Sequence, residues 1–231
     1  MDDISNEWFI GQPISSIWNY RVTGIWQTDE VEEAAKYGQV PGDPKVANNY
    51  TADDKDNGDG TFSPVYNNND KEFLGQTAPP VHFSLRNSFT LFKDWSLSFN
   101  LYSYWGHKST NSEYLNQDNS YSQITNCRNL YTKEYWTLEN PTNKYARIGA
   151  QGPTGIGAPP RIIDRSFIRL ENISLSYNVP KRLLSKLDIE NAKIFGTIRN
   201  VATWAKEWEY GDPETGSIAP RVYTLGVNLT F

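Results

Sequence analysis

Residues 220–231 read P-R-V-Y-T-L-G-V-N-L-T-F, and the reading of this stretch decides the fold. Tyr223, Leu225, Val227, Leu229 and Phe231 share one parity, while Val222, Thr224, Gly226, Asn228 and Thr230 share the other. Successive side chains of a strand point to opposite faces, so this is a ribbon with one apolar side and one mostly polar side. It finishes on an aromatic residue, where a water-soluble domain would carry a polar, frayed end. That is the form of the last strand of an outer-membrane β-barrel, whose apolar side faces lipid.

The same alternation recurs upstream. Val81, Phe83, Leu85, Phe89 and Leu91 alternate with His82, Ser84, Arg86, Ser88 and Thr90, and Trp95, Leu97, Phe99, Leu101 and Trp105 alternate with Ser96, Ser98, Asn100, Tyr102 and Tyr104. Lys93-Asp94 between them predicts a hairpin with a tight turn. Strands are also expected at 16–27, 164–177 and 192–204. In 164–177 the apolar parity changes between Leu170 and Ile173, which a bulge near Asn172 would reconcile. Asp29 and Glu32 have the spacing of a capping box ahead of a short helix at 30–37, and Pro180 opens another at 180–187. The expected fold class is therefore all-β: about six antiparallel amphipathic strands with long loops at 28–80 and 106–161. The connections 178–191 and 205–219 are of medium length. With 220–231 descending toward the periplasm, the two longest loops fall outside and Lys93-Asp94 inside, as in outer-membrane barrels.

Composition fits this reading without requiring it. The 231 residues include eight Trp, fourteen Tyr and ten Phe, and the formal net charge is -5. An acidic surface argues against a nucleic-acid partner. Mean hydropathy is -0.64, and no apolar run approaches the ~18 residues of a spanning helix. Met1–Glu7 lacks the basic and apolar regions of an export signal. The expectation is thus either the downstream piece of a longer chain or a soluble protein.

Several segments carry a resemblance. These are Y-R-V-T-G-I-W-Q-T-D-E-V (20–31), P-G-D-P-K (41–45), D-N-G-D-G (56–60), E-Y-W-T-L-E-N-P-T-N-K-Y-A-R (134–147), D-R-S-F-I-R-L-E-N-I-S-L-S-Y-N-V-P-K-R-L-L (164–184), I-R-N-V-A-T-W (198–204), G-D-P-E (211–214) and the ending itself. In this order and spacing, residues 1–231 resemble the C-terminal part of SusC/RagA-type TonB-linked outer-membrane transporters. The resemblance implies a barrel of about 22 strands around an internal plug, energised by TonB. It also implies a SusD-like surface lipoprotein as partner and oligosaccharides or peptides as cargo. The family's export signal, TonB-contacting segment, plug and most strands have no counterpart here. Six strands cannot close a barrel, since even small ones need about eight, so the chain is expected to be a fragment that does not transport alone. Two rival readings are a soluble β-sandwich module that binds glycans and a non-functional gene remnant.

Candidate sites follow from these assignments. Tyr223, Leu225, Val227, Leu229 and Phe231 form the expected outer-membrane assembly signal. Aromatics near strand ends, Trp18, Tyr20, Trp26, Trp95, Tyr104, Trp105, Trp204, Trp208 and Tyr210, suit interfacial girdles. Trp208 and Tyr210 could instead stack on an external ligand. Arg86, Arg169, Glu171 and Arg199 fall within strands and read as a polar lumen wall. Asp54–Gly60 is rich in Asp and Gly, but neither calcium-loop register works: one places Lys55 first and Tyr66 twelfth, the other Lys55 third and Pro64 twelfth. It reads as a turn. His82 and His107 have no ligand spacing, Cys127 is alone, and no catalytic set or cofactor is expected.

Overall fold

The computed structural model describes residues 1–60, 62–111, 114, 133–185, 188–209 and 211–231. They form two compact units, Met1–Thr77 with Ser109–Ile163 and Ala78–Lys108 with Asp164–Phe231.

The first unit holds short strands: β1 (Ser16–Asn19), β2 (Val22–Ile25), β3 (Pro44–Val46), β4 (Lys55–Asp56), β5 (Phe62–Ser63) and β6 (Glu72–Gln76), with helix α1 at Val31–Lys36. The expected strand 16–27 is therefore two strands. β1 pairs with β6 and β2 with β3, so two strands, β3 and β6, lie inside the region read as one long loop. The helix cap also lies two residues early, the Glu30 carboxylate accepting from the Gln27 N–H at 3.0 Å. The apolar core is small, Ile25, Trp136, Ala146 and Ala150, and buried hydrogen bonds complete it. Asp43, 1% exposed, accepts from Arg147 Nε at 2.8 Å and from the Val40 and Gln151 amides. The Trp26 indole donates to Gln39 and the Trp136 indole to Gln27, while Asn143 Oδ1 accepts from the Ile25 N–H. Gly42, at φ 94°, lets the turn pass under Trp136, where a Cβ would come within 2.6 Å of the ring. These named side chains all find partners, which is what makes so polar an interior tolerable.

The second unit is organised by five long strands, β7 (Val81–Leu91), β8 (Trp95–Trp105), β11 (Phe167–Asn178), β12 (Asn191–Ala205) and β13 (Val222–Thr230). Two shorter strands, β9 (Lys108–Asn111) and β10 (Arg161–Asp164), come between β8 and β11 in sequence, and most of each belongs to the first unit. The long strands pair antiparallel in the order β13-β12-β11-β8-β7, so each neighbours the strand adjacent to it along the sheet-forming sequence. The hairpin turn is one residue longer than expected: Leu91 pairs with Trp95, and Phe92 and Lys93 take left-handed φ values of 50° and 70°. After Pro180 a single helical turn, α2, covers Lys181–Leu184; residues 186 and 187 lie outside the described ones.

The bulge expected in β11 is present. Register shifts between Leu170 and Asn172 against both neighbours. Against β8, Glu171 is the extra residue. Against β12 the extra residue lies on the partner, where Asn200 adopts φ 53°. The shift returns Ile173, Leu175 and Tyr177 to the face of Ile168 and Leu170. One face then carries the apolar rows of all five strands, from Leu85 and Leu101 through Leu170 to Ile198 and Leu225. Trp95 and Trp105 stand at the two ends of β8 on this face. These side chains are open to the surroundings, with Leu225 82%, Leu85 49% and Trp105 42% exposed. Among the described residues of this unit, no second sheet covers them, which is not the arrangement of a sandwich core. β7 and β13 have one neighbour each and are the sheet's edges. No described helix is long and apolar enough to cross a membrane.

Candidate functional site: the polar face of the sheet

The opposite face is built from the other parity: His82, Ser84, Arg86, Ser88 and Thr90 on β7 beside Tyr104, Tyr102, Asn100, Ser98 and Ser96 on β8. Next come Arg169, Asn172, Ser174 and Ser176 on β11, then Thr203, Arg199, Thr197 and Phe195 on β12. Ser174 and Thr197 exchange a hydroxyl hydrogen bond at 2.9 Å. Phe195 lies flat over Gly226 of β13, where a Cβ would stand 2.4 Å from the ring. The bulge adds Glu171 to this face, and its carboxylate accepts from the Asn100 amide. His82, Ser84, Arg86, Asn100, Tyr102, Tyr104 and Glu171 line a shallow hollow of about 510 Å³.

Beside the hollow, the loop after β12 folds onto the sheet. Arg169, 6% exposed, reaches Asp212 Oδ2 at 2.5 Å and Glu214 at 3.4 Å. Its guanidinium also lies 5.6 Å from the centre of the Tyr102 ring and 5.3 Å from that of Phe167. The Tyr102 hydroxyl donates to Glu214 at 2.6 Å, and Arg165 donates to the Pro213 and Glu214 carbonyls. Asp212 Oδ1 accepts from the Glu214 and Thr215 amides at 2.8 and 3.1 Å. Burial pushes the Asp212 carboxyl up. The Arg169 hydrogen bond and the two amides outweigh it and hold the group below the usual carboxylate range. A carboxyl so lowered contributes stability that is whole above its unfolded pKa of about 4 and fades as pH falls through the folded value. Acidification through that range should release residues 211–216. An NMR titration should show the Glu214 and Thr215 amides moving together with a midpoint below the ordinary carboxylate value. A midpoint at the ordinary carboxylate value would show that the contact contributes nothing.

Of the residues singled out from sequence, Arg86, Arg169, Glu171 and Arg199 all stand on this polar face. Trp208 lies in the loop, half-buried, with the Arg165 guanidinium 4.9 Å from its ring centre and its indole N–H without an acceptor. Tyr210 and Cys127 lie outside the described residues. Trp95, Trp105 and Trp204 end the apolar rows, but Tyr104 is on the polar face against His82 and Phe167. Trp18, Tyr20 and Trp26 belong to the first unit, where Trp26 is buried and Trp18 packs on Phe9. Tyr223, Leu225, Val227 and Leu229 stand along β13 on the apolar face, and Phe231 follows them, 78% exposed. In the Asp54–Gly60 stretch, Asp54 accepts from Asn48 and the Val65 amide, and Asp56 from the Gly58 amide. No metal-holding group of acids, His and Cys occurs among the described residues. The partners Asp212 and Glu214 escaped the sequence reading. An arginine on the inward parity of a strand, followed by an acidic loop, was the available signal.

The chain is similar to two proteins of Formosa agariphila (strain DSM 15362 / KCTC 12365 / LMG 23005 / KMM 3901 / M-2Alg 35-1). TonB-dependent receptor P26 is 28% identical over 243 aligned residues, covering 96% of this chain and 23% of that protein. TonB-dependent receptor P3 is 21% identical, covering 96% and 22%. Among solved structures, the RagAB peptide transporter aligns with a TM-score of 0.60 at 22% identity, covering 97% of this chain and 24% of that one. The RagAB peptide importer in its open-open state aligns with a TM-score of 0.59 at 21% identity, covering 97% and 23%. No family model matches. The chain thus spans about a quarter of the length of these relatives. The resemblance to SusC/RagA-type TonB-linked transporters is borne out over nearly all of it, and so is the antiparallel all-β fold. The relatives are receptors and transporters, not enzymes.

Proposed function

We propose that residues 1–231 are the C-terminal wall segment of a TonB-energised outer-membrane importer of oligosaccharides or peptides. The observation that carries this reading is the single sheet with one uncovered apolar face and one polar face. In lipid the first is solvated by hydrocarbon and the second lines an aqueous lumen. The open edges β7 and β13 require further strands, because unpaired backbone groups cost several kcal/mol each in a bilayer. The remaining strands, the plug and the TonB-contacting segment complete the machine, and a SusD-like lipoprotein covers its mouth. The RagAB relatives, a peptide importer, support peptide as one cargo class. In this orientation the connections 28–80, 106–161 and 205–219 are external, while Lys93-Asp94 and 178–191 are periplasmic. Trp208, in the external connection 205–219 on this reading, is then a candidate to meet a ligand or the outer interface.

Tyr223, Leu225, Val227, Leu229 and Phe231 serve as the outer-membrane assembly signal on this reading. With the chain in its complete barrel, deleting Phe231 should lower the folded, heat-modifiable band on gels several-fold. An unchanged band would remove the signal role from Phe231. Recovery of the wild-type chain as a soluble monomer without detergent would overturn the barrel reading itself.

A further inference from the structure

We infer that Asn57 is a self-modifying site: the Gly58 nitrogen attacks its side-chain amide, and the residue becomes aspartate or isoaspartate. The D-N-G-D-G stretch at 56–60 holds the one Asn-Gly step of the chain. It forms the turn between β4 and β5, where Lys55 pairs with Ser63 and Asp56 with Phe62. Asp56, Asn57 and Gly58 are exposed, and Ser63 is half-buried. Every group the reaction needs, apart from water, belongs to this one hairpin. The site is therefore complete in residues 56–63, whatever strands or plug the rest of a barrel would add.

Two hydrogen bonds prepare the step. The Gly58 N–H donates to Asp56 Oδ1 at 2.8 Å, which sets a carboxylate on the proton that must leave the nucleophile. The Ser63 hydroxyl donates to Asn57 Oδ1 at 3.0 Å, and this bond strengthens as negative charge gathers on that oxygen. Gly58 has φ 79° and nothing within 4 Å of where a Cβ would stand, so no side chain shields its nitrogen. The bond from Gly58 N to Asn57 Cγ forms as the Asp56 carboxylate takes the N–H proton. Collapse of the tetrahedral centre breaks Cγ–Nδ2, and the proton departs with that nitrogen as ammonia. Water then opens the cyclic succinimide at either carbonyl, giving an aspartyl or an isoaspartyl residue with an ionised carboxylate. The product adds a negative charge beside Asp56 and Asp59, and the isoaspartyl form lengthens the turn by a backbone methylene. On the importer reading the connection 28–80 is external, so the altered turn faces the medium.

The test incubates the chain within its complete barrel, purified in detergent, at neutral pH. Peptide mapping with electron-transfer fragmentation then counts aspartyl and isoaspartyl forms at each Asn. Asn57 should convert at least about tenfold faster than Asn87, whose neighbour Ser88 is held in the β7 ladder opposite Ser98. It should also convert several-fold faster than in a synthetic peptide of residues 54–65, which has the sequence without the paired strands. Ser63→Ala and Asp56→Asn should each slow the reaction several-fold, and Ser63→Thr, which keeps the hydroxyl, should not. Asp56→Asn retains an oxygen to accept the Gly58 N–H, so it removes the base and keeps the turn. A folded chain that converts no faster than the peptide, or rates unmoved by Ser63→Ala and Asp56→Asn, would overturn the assignment and leave the importer reading untouched.

Discussion

Leu101→Arg should destabilise the inserted barrel by about 2–4 kcal/mol, while Val81→Arg should cost no more than about 1 kcal/mol. The difference comes from depth. Leu101 lies midway along the apolar face, paired with Leu85 on one side and Leu170 on the other. A guanidinium there must be drawn through hydrocarbon. Val81 pairs with Trp105 at the sheet's end, where a long side chain can reach water. Ser98→Arg, on the polar face between Ser88 and Ser174, should be close to neutral. Reversible urea unfolding of the complete barrel in lipid vesicles measures all three. The profile is the discriminating result. A cost that peaks in mid-strand and declines toward both ends belongs to a bilayer. Costs that follow only the local packing at each site, regardless of height, would count against lipid as the solvent of this face.

Arg169→Ala should cost about 3–5 kcal/mol, and Arg169→Met combined with Asp212→Leu should cost far less. The single change leaves Asp212, 6% exposed, without its counter-ion and Glu214 with only the Tyr102 hydroxyl. Stranding a buried charge is more expensive than never burying it. The double change removes both charges and fills the space with apolar atoms beside Phe167. Susceptibility of Lys206 to trypsin follows whether residues 211–216 stay on the sheet, and urea unfolding gives the energy. If the double variant is as unstable as the single one, the ion pair's neighbours, rather than the charges, hold the loop.

The parts of the fold legible in the sequence are those governed by a period of two. β7 and β8 alternate along their length, with only Asn87 and Ser103 breaking the apolar parity, and the sheet reproduces their span to within a residue. Even the bulge in β11 could be read, because an extra residue must invert parity and the change from Leu170 to Ile173 is that inversion. The first unit was opaque for the opposite reason. β1, β2, β3 and β6 are too short to display a period, and their pairing is fixed by partners remote in sequence. Asp43 meets Arg147, and Asn143 replaces a strand as the acceptor for Ile25. The family-like segments around Trp26, Asp43, Trp136 and Arg147 marked these residues without revealing that they bond to one another. The polar site was half legible. Parity placed Arg86, Arg169, Glu171 and Arg199 on one face. Only the folded loop shows that Arg169 is satisfied by Asp212 and Glu214.

Trp95 and Trp105, as the first and last residues of an eleven-residue strand, act as a built-in gauge. Ten steps of about 3.3 Å separate them by about 33 Å along the strand. At a barrel tilt near 40° this projects to about 25 Å along the membrane normal. Indole rings settle at the headgroup level, so the spacing selects a leaflet pair thinner than an average bilayer, such as the bacterial outer membrane. In a thicker host bilayer the lipid would have to compress around the wall or the strands stand more upright.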